Sequence, residues 1–288
     1  MRSAVIYTMV IALASLALAW HHQGHEAMSR AAAALLPDDV PLFFRQGGEA
    51  IARASLDPDA QRHRGMPQLR SAEAPEHFFD LELLNGADIP PTRYELLAWC
   101  GKHDIAPNQL GMAPYAIVEN TQRLTLALAE YRRWPDDLLV QSKCLHYAGR
   151  LAHYAQDLCM PLHTTIQYDG RLGPDGRTTH TGIHEKIDAL AGKITLDIEA
   201  LRHAGPIEPL NDLFAGVLGA LHASHALVDR AYELEAHYPA VEDETITHQA
   251  VRAFATERNT AAARLTAQLF LTAWRQSADL PLETWMEP

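Results

Sequence analysis

Three His-x-x-x-Asp pairs occur in this 288-residue sequence: His153/Asp157, His184/Asp188 and His225/Asp229. Residues four apart project from one face of a helix, so each pair could offer an imidazole and a carboxylate to a single centre. The first pair is extended by His163, which follows a break at Pro161 that lets the chain fold back toward the helix end. Two imidazoles and a carboxylate are nitrogen and oxygen donors suited to zinc. The spacing alone is a weak signal, because a chain with 16 histidines produces such pairs by chance. Further groups of chemistry-bearing residues stand upstream: Trp20 with His25, Asp57 and Asp59 before Arg62, and His77 with Asp80.

These residues need elements to position them. An Ala- and Leu-rich pattern predicts a helix from Gly24 to Leu36, stopped by Pro37, and a second from near Pro41 toward Ala54. The segment Ser55 to Pro91 is rich in Pro, Gly, Asp and Arg with little periodicity, and reads as a long irregular excursion. Such segments inside a compact chain tend to carry function, and this one holds Asp57, Asp59, Arg62, His77 and Asp80. Pro114 opens a helix reaching about Arg133. The run Asp136 to Asp157 has apolar residues at helical spacing and carries the first His/Asp pair. Gly170 to Thr179 reads as a flexible loop, followed by helices from about Ile183, from Leu210 to about Glu235, and from Thr245 to about Gln276. No strand pair is predicted. The expectation is an all-α fold with residues 20–288 forming a single domain.

Residues 1–19 read as a secretory signal: Arg2, an apolar run through Val5, Ile6, Val10, Ile11 and Leu16, and Ala17-Leu18-Ala19 before the cut. Cleavage there would leave a secreted or periplasmic chain beginning at Trp20. The net charge of −12 argues against a broad basic surface gripping duplex nucleic acid, but not against a phosphate substrate, since bound metal ions add positive charge inside a cleft. The three cysteines, Cys100, Cys144 and Cys159, leave room for one bridge and provide no disulfide framework. Cys159 reads as a packing residue rather than a thiolate ligand.

In chain order, Trp20 with His25, Asp59-Ala60-Gln61-Arg62, His77-Phe78-Phe79-Asp80, His-x-x-x-Asp-x5-His at 153–163, and His184-x-x-x-Asp188 form a set that resembles the S1/P1 nuclease and zinc-dependent phospholipase C superfamily. The resemblance runs from Trp20 to Asp188. It implies an all-α fold around a cleft holding three zinc ions. One zinc would be held by Asp59, His77, His153 and Asp157. Its close neighbour would be held by His25 with the amine and carbonyl oxygen of Trp20, and Asp157 would bridge the two. His163, His184 and Asp188 would hold the third. Between Asp57 and Asp59, the Asp-x-x-Arg spacing selects Asp59. Arg62 would stabilise phosphoryl charge, and Asp80 would orient the attacking water or accept its proton. Phe78 would be either a stacking platform for an unpaired base or a core aromatic beneath the site.

The implied function is an exported, monomeric zinc nuclease that cleaves single-stranded DNA or RNA, or a nucleotide substrate, to 5′-phosphorylated products. The short Trp20 to His25 spacing, Asp188 and Asp59-x-x-Arg62 favour it over a phospholipase C acting on phospholipid headgroups. A non-catalytic exported metal-binding protein is the reading from another class. His225/Asp229 is expected to be a surface or structural pair, His146 packed, and His21, His22 and His180 bystanders.

Overall fold

The computed structural model describes residues 22–173 and 177–283, so the expected signal at residues 1–19 and Trp20 lie outside the described residues. The described residues are mostly helical, with 66% of them in helix and 2% in strand. No helix among the described residues is long and apolar enough to cross a membrane.

Two long helices position most of the site. Helix α1 covers 22–34, and α2 (Leu42–Gln46), α3 (Gly48–Ala54), α4 (Asp57–Gln61) and α5 (Pro67–Glu73) are short. They lead to α6 (Arg93–His103) and α7 (Pro107–Leu110), and then to α8 (Ala113–Arg133) and α9 (Leu138–Leu158), which pack along one another. Helix α9 starts where the Asp137 carboxylate accepts hydrogen bonds from the Leu139 and Val140 backbone N–H groups. It buries Val140, Cys144, Ala148, Leu151, Ala155 and Leu158, a stripe at spacings of three and four. Burying each leucine-sized side chain of this stripe contributes ~1.5–3 kcal/mol. His153 and Asp157 flank the stripe and are therefore carried by a helix that the core already holds.

The rest of the chain completes the fold with α10 (Ile183–Ala191), α11 (Ile198–His203), α12 (Leu213–His225), α13 (Val228–Leu234) and α14 (Gln249–Gln276). The larger apolar cluster joins α1, α8, α9 and the C-terminal half of α14. A smaller one joins Met160 and Leu162 to α10, α13 and the first turns of α14. Helix α14 runs through both.

The structure corrects several expectations. The segment Ser55 to Pro91 is not an irregular excursion: it forms α4, α5 and two 3-10 turns, Ala74–His77 and Leu81–Leu84. Pro58 and Pro67 sit in the first turns of α4 and α5, where proline starts a helix instead of breaking one. Helix α6 was missed between two proline-rich stretches, although a capping box of Thr92 and Glu95 marks its start. The run Leu210 to Glu235 is divided at Ala226 and Leu227 into α12 and α13. The expected loop at 170–179 contains a short antiparallel pair, β1 (Arg171–Leu172) with β2 (Thr178–Thr179).

Candidate metal centre

Three groups of side chains bring possible ligand atoms within 4.8 Å of one another: His25 with His153 and Asp157, Asp59 with His77 and His153, and His163 with His184 and Asp188. Every described residue expected as a ligand falls in one of these groups. Trp20 lies outside the described residues.

The groups are assembled by close packing onto α9. Gly149 faces α3 so closely that a Cβ there would lie 2.4 Å from the Ala54 Cβ and 2.7 Å from the Ile51 carbonyl oxygen. That approach brings the Ser55 carbonyl, at the end of α3, within 2.8 Å of His153 Nδ1, which donates to it. His163 stands on the 3-10 turn Pro161–Thr164, and its Nδ1 donates to the His77 carbonyl at 2.9 Å. His25 Nδ1 donates to Gln156 Oε1 at 2.7 Å, and Gln156 Nε2 in turn donates to Ser29 Oγ at 3.0 Å. In all three histidines the Nδ1 proton is committed, which leaves the Nε2 lone pair facing the carboxylates, as a metal ligand requires.

The donor spacings fit a tetrahedral cation, for which ligands at about 2.0–2.1 Å lie about 3.3 Å apart. His153 Nε2 is 3.3 Å from Asp157 Oδ2 and 3.0 Å from His77 Nδ1, and His77 Nδ1 is 2.9 Å from the same Oδ2. The other oxygen of Asp157 turns to His25 Nε2 at 3.4 Å. Asp157 thus divides its two oxygens between two sets of imidazoles. Asp188 does the same within its group, with Oδ1 at 3.5 Å from His163 Nε2 and Oδ2 at 3.0 Å from His184 Nε2. Asp59 Oδ1 reaches His153 Nε2 at 4.0 Å, whereas Asp57 points to the surface and faces His146 Nδ1 at 3.5 Å. Geometry therefore places Asp59, not Asp57, at the centre. It also corrects His146, which is half exposed rather than packed.

The charges at the centre are mutually compensating. Burial would raise Asp59, but His153 and His77 outweigh it and hold the carboxyl at about 2. Asp157 and Asp188 are likewise buried, yet the surrounding imidazoles hold both well below the usual carboxylate range. Burial disfavours charge on His163, but Asp157 and Asp188 raise it to about 10. His25 is lowered to about 4 by burial and by neighbouring His153. A concentration of acidic charge answered by ligand nitrogens is the arrangement a divalent cation stabilises.

Arg62 donates from Nη1 to Asp59 Oδ1 at 3.0 Å, so it holds a member of the ligand set. Asp80 is buried beside the third group, and its carboxyl is pushed up to about 7 by burial and by Glu82, with His163 opposing. The segment 78–80 is locked by Gly111. Asp80 N–H donates to the Leu110 carbonyl at 2.7 Å, and Phe79 bridges Gly111. At φ +90° a Cβ on Gly111 would lie 2.1 Å from the Phe78 carbonyl oxygen, so only glycine fits there. Phe79 is fully buried and Phe78 half-buried, so Phe79 is the aromatic of this pair that sits wholly in the core.

His225 and Asp229 do not join the centre. His225 Nδ1 meets the Thr164 carbonyl at 2.9 Å, and Asp229 pairs with Arg171 at 2.5 Å, the structural roles expected of them. His180 lies at the surface and pairs with Glu235. The three cysteines are free and buried, and burial pushes the Cys159 thiol up to about 12, in keeping with packing. Sequence reasoning missed Gln156, Ser55 and Glu73, which orient or back the histidines. Glu73 stands four residues before His77, a spacing that carries meaning only once α5 and the turn after it are known to be helical.

No protein-family model matches the chain, and no curated protein matches it.

Proposed function

We propose that the protein is an exported, zinc-dependent phosphodiesterase of the S1/P1 nuclease type, which hydrolyses single-stranded DNA or RNA to 5′-phosphorylated products. The observation that carries this reading is Asp157, with one oxygen toward His25 and the other toward His77 and His153, while His163 Nδ1 lies 3.9 Å away and leads to the third group. Two adjoining centres sharing a carboxylate, with a third alongside, suit an in-line displacement at phosphorus. Zinc in these groups would supply an activated water and Lewis acidity toward phosphoryl oxygens.

The remaining roles belong to the chain's own side chains. Asp80, buried beside His163, takes or directs the proton of the attacking water. Arg62 holds Asp59 with one N–H and keeps other guanidinium donors for a phosphate oxygen. Phe78, half-buried beside the ligand His77, offers a stacking face to an unpaired base, which favours single strands. By the resemblance, Trp20, which lies outside the described residues, would join the His25 group once the leader is cleaved, and the proposal is of a monomer.

The test is hydrolysis by zinc-loaded exported protein of single-stranded DNA, RNA and phosphatidylcholine, with the product ends identified. Cleavage of the nucleic acids to 5′-phosphates supports the proposal. Lipid turnover without nucleic-acid cleavage overturns it in favour of a phospholipase C, and turnover of none of the three marks a non-catalytic metal-binding protein.

A further inference from the structure

His77 differs from the other histidines of the centre. Its Nδ1 points inward, 2.9 Å from Asp157 Oδ2 and 3.0 Å from His153 Nε2, so Nδ1 is the ligand atom and Nε2 faces away. His77 is 3% exposed, and its Nε2 is buried without a hydrogen-bond partner among the described residues. An imidazole with nothing to take its outer proton has no preferred tautomer, and the wrong tautomer would put a proton where the ligand lone pair must be.

The group facing that nitrogen is a carboxylate. Glu73 Oε1 lies 3.9 Å from His77 Nε2, about 1 Å beyond hydrogen-bond length, and is the closest acidic oxygen on that side of the ring. Glu73 is itself buried, at 6% exposure, and does not project freely. It accepts a hydrogen bond from the hydroxyl of Tyr154, a residue 1% exposed on α9. Arg150, one turn earlier on the same helix, donates from Nη2 to the Tyr154 hydroxyl at 2.8 Å and to the second Glu73 oxygen at 3.5 Å. Burying a carboxylate is costly unless it is paired and hydrogen-bonded, and here α9 supplies both partners from the helix that also carries His153 and Asp157.

We propose that Glu73, held by Tyr154 and Arg150, is the positioning residue for His77: it accepts a hydrogen bond from the Nε2–H, which keeps the proton on Nε2 and thereby commits the Nδ1 lone pair to the metal group of Asp59, His77 and His153. The inference rests on the proposed metal centre and deepens it. One side of α9 presents ligands, and the adjoining side carries the support for a ligand brought from another part of the chain. The three other oriented histidines lean on neutral oxygens, two backbone carbonyls and the Gln156 amide. His77 alone is backed by a charged group, which raises the basicity of its ligand nitrogen.

The experiment compares zinc affinity of the purified wild-type chain, Glu73→Gln and Tyr154→Phe by competition with a chromogenic chelator, together with the 15N resonances of His77 in the wild-type zinc-loaded protein. The expected result is weakening of one zinc by about 10- to 100-fold in Glu73→Gln, with a smaller loss in Tyr154→Phe. Zinc held by the His163 group keeps its affinity. The His77 resonances are expected to show a proton on Nε2 and metal on Nδ1, a readout that remains should either variant fail to fold. Zinc affinity in Glu73→Gln equal to wild type, or a proton on Nδ1 of zinc-loaded His77, overturns the positioning role alone. A wild-type chain that binds no zinc overturns the proposed function with it.

Discussion

Replacing Asp157 with asparagine separates the shared carboxylate from an ordinary ligand. Asn keeps the shape of Asp157 but removes a buried charge whose Oδ2 faces His77 at 2.9 Å and His153 at 3.3 Å, and whose Oδ1 faces His25 at 3.4 Å. Removing one member of a buried ionic set costs about 3–5 kcal/mol. At about 1.4 kcal/mol per decade, that is a loss of about 10²- to 10⁴-fold in metal affinity, felt by both groups that meet at Asp157. Among the described residues Asp188 faces His163 and His184 as possible ligands and no others, so Asp188→Asn is the matched control. After dialysis against a weak chelator, mass-spectrometric metal analysis is expected to find two zinc ions fewer per chain in Asp157→Asn and one fewer in Asp188→Asn. Circular dichroism checks that both variants stay folded. Equal losses in the two folded variants would refute the sharing of Asp157.

Four further outcomes follow from the same geometry. Zinc must displace the proton of His163, whose pKa is raised to about 10, so zinc affinity should rise with pH from 6 to 9 and binding should release protons, measured by calorimetry in buffers of different ionisation enthalpy. In chelated protein the sign reverses: stability from His163, full below its unfolded value near 6.5, is lost as pH rises toward 10. The melting temperature should therefore fall between pH 7 and 8.5 in chelated wild type, and that slope should be smaller in His163→Asn. Asp80→Asn should lower kcat by about 10²- to 10⁴-fold with zinc content unchanged, the range for general acid–base catalysis; an unchanged kcat removes Asp80 from the mechanism. Phe78→Ala should raise KM for single-stranded DNA by about 5- to 150-fold, from ~1–3 kcal/mol of stacking, and leave hydrolysis of a base-free phosphodiester unaltered. Equal effects on both substrates would show that Phe78 packs rather than stacks.

What the sequence disclosed was what local periodicity encodes. The stripe Val140, Cys144, Ala148, Leu151, Ala155 and Leu158 marks α9, and with it the shared face of His153 and Asp157. The chemical types of the remaining ligands were visible, but their convergence was not. Asp59 and Asp57 are two residues apart on α4, and only the packing of α4 and α9 turns one inward and the other toward His146. Prolines at 58 and 67 read as breakers because the same residue can start a helix or end one, and the surrounding sequence is too short to show a period. The oxygens that orient His153 and His163 belong to the backbone of Ser55 and His77 and leave no residue-type signature at all.

The most direct test of the central claim is the metal content of the purified wild-type protein, measured by mass spectrometry after exposure to zinc and removal of the excess. Three ligand groups predict about three zinc ions per chain. One zinc per chain, or none, would contradict the account.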